Sequence, residues 1–266
     1  MSMRQSKRKL PPRELKPLVE KAKIYRKVLD DSTIEVLIHL INTRVVKSID
    51  YPIASGKESV VFRATALDKR GKEIFRAVKV FRYETSGFQK KMYEYIRDDK
   101  RFEGVRKTIR PLVQAWARKE FANLKLASGA GVNVPEPFKC EKNVLVMEFL
   151  GEEGIPFALL NEVVLENPRK MLEKILENME TMYSAGLVHG DLSQYNILAC
   201  GEEPYFIDLG QGVLSEHPRA EEFLERDVRN ILAYFGKQGI KKDFNETLAV
   251  IKGSQNNQIY VVKTEF

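Results

Sequence analysis

The 266-residue chain is 43% hydrophobic and 30% charged, an ordinary globular composition with length for one two-lobed domain or two small ones. No stretch approaches the roughly 20 apolar residues that span a bilayer. The basic segment Met1 to Lys9 also lacks the apolar core of a secretory signal, so we expect a cytoplasmic protein with no membrane partner.

A net charge of +7 favours an acidic partner, of which nucleic acid is the commonest, yet a basic surface equally serves solubility. Residues 1–12 are rich in Lys and Arg and end in Pro11-Pro12, which reads as a flexible basic arm. Helical stretches follow over 13–47, including Thr33 to Thr43, where Ile34, Leu37, Ile38 and Ile41 share a face. The pattern then changes to strands at Ser48 to Ile53, Ser59 to Ala66 and Glu73 to Phe81, the last two joined by Asp68-Lys69-Arg70-Gly71. Residues 84–110 are charged without sustained periodicity, and their second half holds Arg97, Lys100, Arg101, Arg106, Lys107 and Arg110. A functional or disordered loop is expected there.

Pro111 opens a helix through Ser128 with Leu112, Ala115, Trp116 and Leu124 on its core face, ended by Gly129 and Gly131. Glu136 to Cys140 and Asn143 to Phe149 form a strand pair, and Gly151 to Gly154 reads as a linker between lobes. Helices over 156–166 and 168–185, a loop at 188–196, a hairpin at 197–208 and helices near 218–236 and 242–252 follow. The expected divisions are therefore 1–47, a strand-rich lobe at 48–150, a helical lobe at 151–252 and a polar tail at 253–266. The tail's Ile259-Tyr260-Val261-Val262 run has no assigned place. Cys140 and Cys200 lack metal-ligand spacing and read as buried reduced thiols; His39 and His217 read as surface or packing residues.

Five features carry chemistry. Ser55-Gly56-Lys57-Glu58-Ser59 is a small turn between strands whose N–H groups could approach phosphate oxygens. It has one Gly only, and an ordinary hairpin turn explains it as well. In Ala77-Val78-Lys79-Val80 a Lys interrupts an apolar strand and needs an anionic partner, unless the strand is an edge and the amine reaches water. Glu120, mid-helix, is the candidate carboxylate for that pairing. Val146 to Gly151 leaves the strand-rich lobe and would, in a two-lobed kinase, be the hinge whose backbone reads adenine. Finally His189-Gly190-Asp191 with Asn196, then Asp208-Leu209-Gly210, forms H-x-D-x-x-x-x-N followed by D-x-G. In the protein-kinase arrangement the first Asp orients the attacking hydroxyl or takes its proton, while the Asn and second Asp hold magnesium on the nucleotide phosphates. The five occur in kinase order.

The sequence resembles the RIO family of atypical kinases, most closely its first subfamily, from about residue 23 to 252. The resemblance rests on Ser55 to Phe62, Arg82 to Ser86 with Phe88, Arg101-Phe102, Trp116 to Leu124, His189 to Leu198, Ile207 to Gln211 and Glu225 to Ile231. It implies an α+β, two-lobed protein-kinase-like fold with a truncated C-terminal lobe and an N-terminal helical extension. It also implies ATP with Mg2+, or Mn2+ in its place. Lys79 with Glu120 and the Ser55-Gly56-Lys57 turn would serve the phosphates, and Glu148 and Leu150 the adenine. Asp191 would be the catalytic Asp, Asn196 and Asp208 the metal ligands, and Asp208 also the acceptor in an aspartyl-phosphate. The family's role in small ribosomal subunit maturation implies a pre-small-subunit particle, with rRNA contact, as partner. Oligomeric state stays open.

Departures from ordinary protein kinases are informative. Gly190 replaces the Arg of H-R-D, Leu209 the Phe of D-F-G, and no A-P-E follows, so efficient phosphorylation of an extended peptide is not expected. Asp227 is expected to brace the catalytic loop instead. Two other readings compete: a nucleotide-sensing assembly factor that needs no turnover, and a small-molecule phosphotransferase, whose family also carries H-G-D and D-x-G but lacks the Arg82 to Phe102 segment.

Overall fold

The computed structural model describes residues 7–8, 29–83 and 89–253. The rest of the basic arm, the expected helices before residue 29, residues 84–88 and the tail with Ile259 to Val262 lie outside the described residues. The chain divides into two compact units, residues 10–122 with 135–157, and residues 1–9, 123–134 and 158–266. Among the described residues no helix is long and apolar enough to cross a membrane.

The first unit is built on a five-stranded antiparallel sheet. Lys7–Arg8 (β1) belongs to the other unit, so the sheet comprises β2 (Ser48–Ser55), β3 (Ser59–Leu67), β4 (Glu73–Phe81), β5 (Pro137–Glu141) and β6 (Val144–Glu148), in the order β2-β3-β4-β6-β5. Pro52 is tolerated because β2 is an edge strand, with register shifts on either side of it. Helix α1 (Asp31–Asn42) starts at Asp30, whose carboxylate accepts from the Thr33 N–H at 2.9 Å. The helix covers one sheet face: Val36, Leu37 and Leu40 join Val60, Phe62, Ala64, Val78, Val80, Val144 and Val146 in one buried cluster.

The buried stripe of α1 is not the one its sequence suggests. Ile34, Ile38 and Ile41 are 37%, 53% and 37% exposed, whereas Thr33, Val36, Leu37 and Leu40 are buried. The helix has apolar residues on both sides, and polar contacts break the tie. Buried Thr33 donates its hydroxyl to Asp30 at 2.6 Å and accepts from Asn143 Nδ2 at 2.9 Å, which fixes the rotation.

Strand side chains alternate between faces, so Lys79 points opposite to Val78 and Val80, away from α1. β4 is the middle strand, which removes the edge-strand explanation for Lys79.

The 84–110 region corrects the expected loop. It contains α2 (Gln89–Arg97) and a 3-10 turn at Lys100–Phe102. Met92, Tyr95 and Ile96 form a short buried stripe hidden in the sequence by charged neighbours, and Tyr95 meets Trp116 edge-on at 6.0 Å. Trp116 lies on α3 (Ile109–Gly129), which starts two residues before the expected Pro111. Gly151 to Gly154 is a hairpin turn rather than a linker: β7 (Gly151–Glu152) pairs with β8 (Ile155–Pro156). A Cβ on Gly151 would meet the Ile155 carbonyl oxygen at 2.2 Å, so only glycine fits.

The second unit is mostly helical. The helix expected over 156–166 is absent. In its place β9 (Ala158–Leu159), a 3-10 turn at Leu160–Glu162 and β10 (Val163–Val164) form an extended course. Pairing outweighs local propensity: β9 binds β12 (Ile197–Cys200), which binds β13 (Glu203–Phe206), and β10 binds β1. Lys7–Arg8 is therefore a paired strand within the expected arm. Helix α4 (Pro168–Ser184) has Asn167 as N-cap and Pro168 at its first position. It buries Met171, Leu172, Ile175, Met179 and Met182. β11 (Leu187–Val188) pairs with β14 (Val213–Leu214), bracketing the motif loop, and α5 (Ala220–Gly236) and α6 (Phe244–Gly253) follow. Cys200 is buried and Cys140 half-buried.

Candidate active site

The first unit supplies a buried ion pair. Lys79 Nζ donates to both Glu120 carboxylate oxygens at 2.7 and 2.8 Å, and the two residues are 5% and 1% exposed. Strand alternation aims Lys79 at α3 and the helix places Glu120 opposite it, as their sequence settings suggested. Ser55, Gly56 and Lys57 form the exposed β2–β3 turn, closed by Gly56 N–H donating to the Ser59 carbonyl at 2.9 Å. A Cβ on Gly56 would meet nothing closer than 3.8 Å, so the turn does not demand glycine for its own conformation. Arg82 ties the base of this turn, its N–H donating to the Glu58 carbonyl at 2.9 Å and its guanidinium to Ser55 Oγ at 3.1 Å.

At the expected hinge, Glu148 N–H donates to the Glu136 carbonyl at 2.8 Å and the Leu150 carbonyl accepts from Phe157 N–H at 3.0 Å. Those bonds engage the Glu148 N–H and the Leu150 carbonyl.

The second unit holds the motif loop. Asp227, on the buried face of α5, accepts from Gly190 N–H at 2.7 Å and Leu192 N–H at 2.8 Å. This is the brace the sequence suggested. Arg226 donates to the Gly190 carbonyl, and Asn230 donates to the Leu192 carbonyl at 3.1 Å. Burial pushes the Asp227 carboxyl up to about 7, opposed by the two N–H bonds and by Arg226. His189 is buried, which lowers its pKa, so its Nε2 carries hydrogen to the Ile207 carbonyl at 3.0 Å as neutral imidazole. The loop is thus pinned by α5 on one side and by the strand before Asp208 on the other.

Asn196 donates its amide nitrogen to the Asp191 carbonyl at 2.7 Å, which turns its amide oxygen away from that carbonyl. Asp208 has φ of 65° and ψ of 55°, left-handed values that Asp tolerates better than most residues. An amide oxygen and a carboxylate are hard donors suited to Mg2+, which keeps waters and phosphate oxygens in its remaining positions, so this pair fits the cation.

Two residues escaped the sequence reading. Buried Asn123 donates to both the Leu209 and Gly212 carbonyls at 2.8 Å, fastening the turn after Asp208. Its only sequence signal was a polar residue three positions beyond Glu120. Gln211 donates to Asp191 Oδ2 at 2.7 Å.

Residues 60–247 match the RIO domain family. The chain is 40% identical over 233 residues to the RIO-type serine/threonine-protein kinase Rio1 of Haloferax volcanii, covering 88% of this chain and 79% of that one. The Rio1 protein of Methanocaldococcus jannaschii is 38% identical over 242 residues, covering 91% and 81%. Among solved structures, the Rio2 kinase-ADP/Mg2+-phosphoaspartate complex from Chaetomium thermophilum superposes with a TM-score of 0.62 at 22% identity. That match covers 87% of this chain and 74% of that one, and it bears out the two-lobed kinase-like fold.

Proposed function

The chain belongs to the RIO domain family, and from that premise we propose that it is an atypical serine/threonine kinase and ATPase, dependent on ATP and Mg2+, acting in small ribosomal subunit maturation. The observation that carries the catalytic part is the pinned loop: Asp191 and Asn196 are held through the Gly190, Asp191 and Leu192 backbone, and Ile207, just before Asp208, bonds His189 and the Asn196 carbonyl. Phosphoryl transfer asks a protein mainly for positioning and charge stabilisation, which such a loop provides.

Lys79, oriented by Glu120, would take the nucleotide's phosphates, with the exposed Ser55-Gly56-Lys57 turn contributing through Lys57. Glu148 and Leu150 would read adenine. Asn196 and Asp208 would hold Mg2+, or Mn2+, which when bound neutralises charge developing on the phosphates. Asp191 would orient the attacking oxygen and accept its proton.

Asp208 is also proposed as an acceptor. Its carboxylate oxygen attacks the γ-phosphorus, the bond to the β,γ-bridging oxygen breaks, and ADP departs with that electron pair. Water then cleaves the acyl phosphate, returning the carboxylate and inorganic phosphate. The phosphoaspartate named for the Rio2 complex supports this reading. The ribosomal role, with a pre-small-subunit particle and its rRNA as partner, is supported by the family resemblance and by a net charge of +7.

The test is incubation with γ-labelled ATP, with and without purified pre-small-subunit particles. Expected are a hydroxylamine-sensitive label that is lost in Asp208→Ala, and turnover that responds to the particles. Acid-stable label on Ser alone rejects the aspartyl-phosphate. Wild-type turnover by Asp208→Ala rejects this site as the source of the turnover.

A further inference from the structure

Gln211 ends the 3-10 turn Leu209–Gln211 that follows Asp208, and it is 8% exposed. A buried glutamine must satisfy both ends of its amide. Its Nε2 lies 2.7 Å from Asp191 Oδ2, and a carboxylate accepts only, so the amide nitrogen faces Asp191.

The local backbone is arranged to make that reach possible. Gly190 has φ of +76°, and a Cβ there would meet the Gln211 carbonyl oxygen at 2.9 Å. Glycine immediately before Asp191 therefore lets the Gln211 backbone lie against the catalytic loop. Asn123 clamps the carbonyls on either side of Gln211, at Leu209 and Gly212, and Gly212 N–H closes the turn on Leu209 at 3.0 Å. From the other side, Asn196 holds the Asp191 carbonyl. Both the donor and the carboxylate it grips are anchored independently of each other.

We infer that Gln211 is a positioning residue for phosphoryl transfer: it engages Asp191 Oδ2 and presents Oδ1 to the incoming hydroxyl or water. The inference rests on the catalytic role given to Asp191 above. A neutral amide suits this task. A carboxylate at 211 would repel Asp191, and an ammonium would neutralise it beside the phosphates.

The experiment is ATP turnover by the full chain in wild type, Gln211→Met, Gln211→Glu and Asp208→Ala, across pH, with ADP affinity and thermal melting measured for each. Gln211→Met keeps volume but removes the donor. It is expected to lower kcat about 10- to 100-fold while KM for ATP, ADP affinity and melting stay near wild type. Gln211→Glu creates a close carboxyl pair that shares a proton. The protonated Glu can donate to Asp191 as the amide does, whereas the doubly ionised pair repels. Its turnover should therefore recover as pH falls, a limb absent from wild type. That limb, with melting unchanged over the same pH range, distinguishes positioning from packing.

Wild-type kcat in Gln211→Met, or a Gln211→Glu profile parallel to wild type, overturns the inference while an inactive Asp208→Ala leaves the proposed function standing. An Asp208→Ala protein as active as wild type overturns the proposed site for that function.

Discussion

In Lys79 and Glu120, stability and the proposed function meet in a single pair. Both are buried, and the amine bonds both carboxylate oxygens. A buried pair is weak evidence for net stabilisation, because desolvation offsets much of the attraction. Removing one member is different, since it strands a charge. Glu120→Ala should lower unfolding free energy by about 3–5 kcal/mol in urea titrations and also weaken ATP binding. The double variant Lys79→Met with Glu120→Met should regain most of that stability yet still fail to bind ATP in a fluorescence titration. Recovery of ATP binding by the double variant would show that the pair is structural and not a phosphate grip.

At the scale of elements, α3 carries Glu120, the carboxylate of that pair, and a buried cation of its own. Lys119 is 0% exposed, and burial pushes its pKa down to about 7, opposed by the carboxylate of Asp99. Asp99 is already bound by Arg101 through two side-chain bonds at 2.9 and 2.7 Å. For a base with a depressed folded pKa, the stability contribution is complete above the unfolded value and is lost as pH falls through the folded one. Wild type should thus lose stability relative to Lys119→Met as pH drops from about 10 towards 7. Urea midpoints for the two proteins at several pH values check this, and parallel curves would contradict it.

The same helix shows what the sequence could and could not reveal. Strong, long signals survived: the β4 strand with its single Lys, the α3 helix with Glu120, the H-x-D loop and the α5 brace were all legible. Short segments were decided by partners remote in sequence. The 158–164 stretch became extended because β12 and β1 pair with it, and α1 turned its Val36-Leu40 side inward because Thr33 meets Asn143. Asn123 and Gln211 carried no periodic signal at all. A lone amide declares its role only when the carbonyls and carboxylate that it grips are in view.

For the molecule as a whole, the net charge of +7 is less telling than its distribution. The sequence shows six cations between residues 97 and 110, but the fold pairs three with carboxylates: Arg97 with Asp98, Arg101 with Asp99 and Arg110 with Asp30. Arg106 and Lys107 are exposed and, among the described residues, have no carboxylate partner. Lys107 rests 4.4 Å over the Tyr93 ring, which holds its ammonium at the surface at little cost in mobility. If rRNA contact is part of the function, these two cations should carry more of it than their paired neighbours. Each phosphate neutralised adds roughly 0.7 to 0.9 to the slope of log affinity against log salt. Arg106→Gln with Lys107→Gln should therefore lower that slope by about 1–2 for rRNA or particle binding. Replacing Arg97 and Arg101 instead should change the slope less, because Asp98 and Asp99 already offset them. ATP turnover without particles should be the same in the Arg106/Lys107 variant as in wild type. Equal slopes for both variants would mean that rRNA is met elsewhere on the surface, and that the charge excess serves solubility in this region.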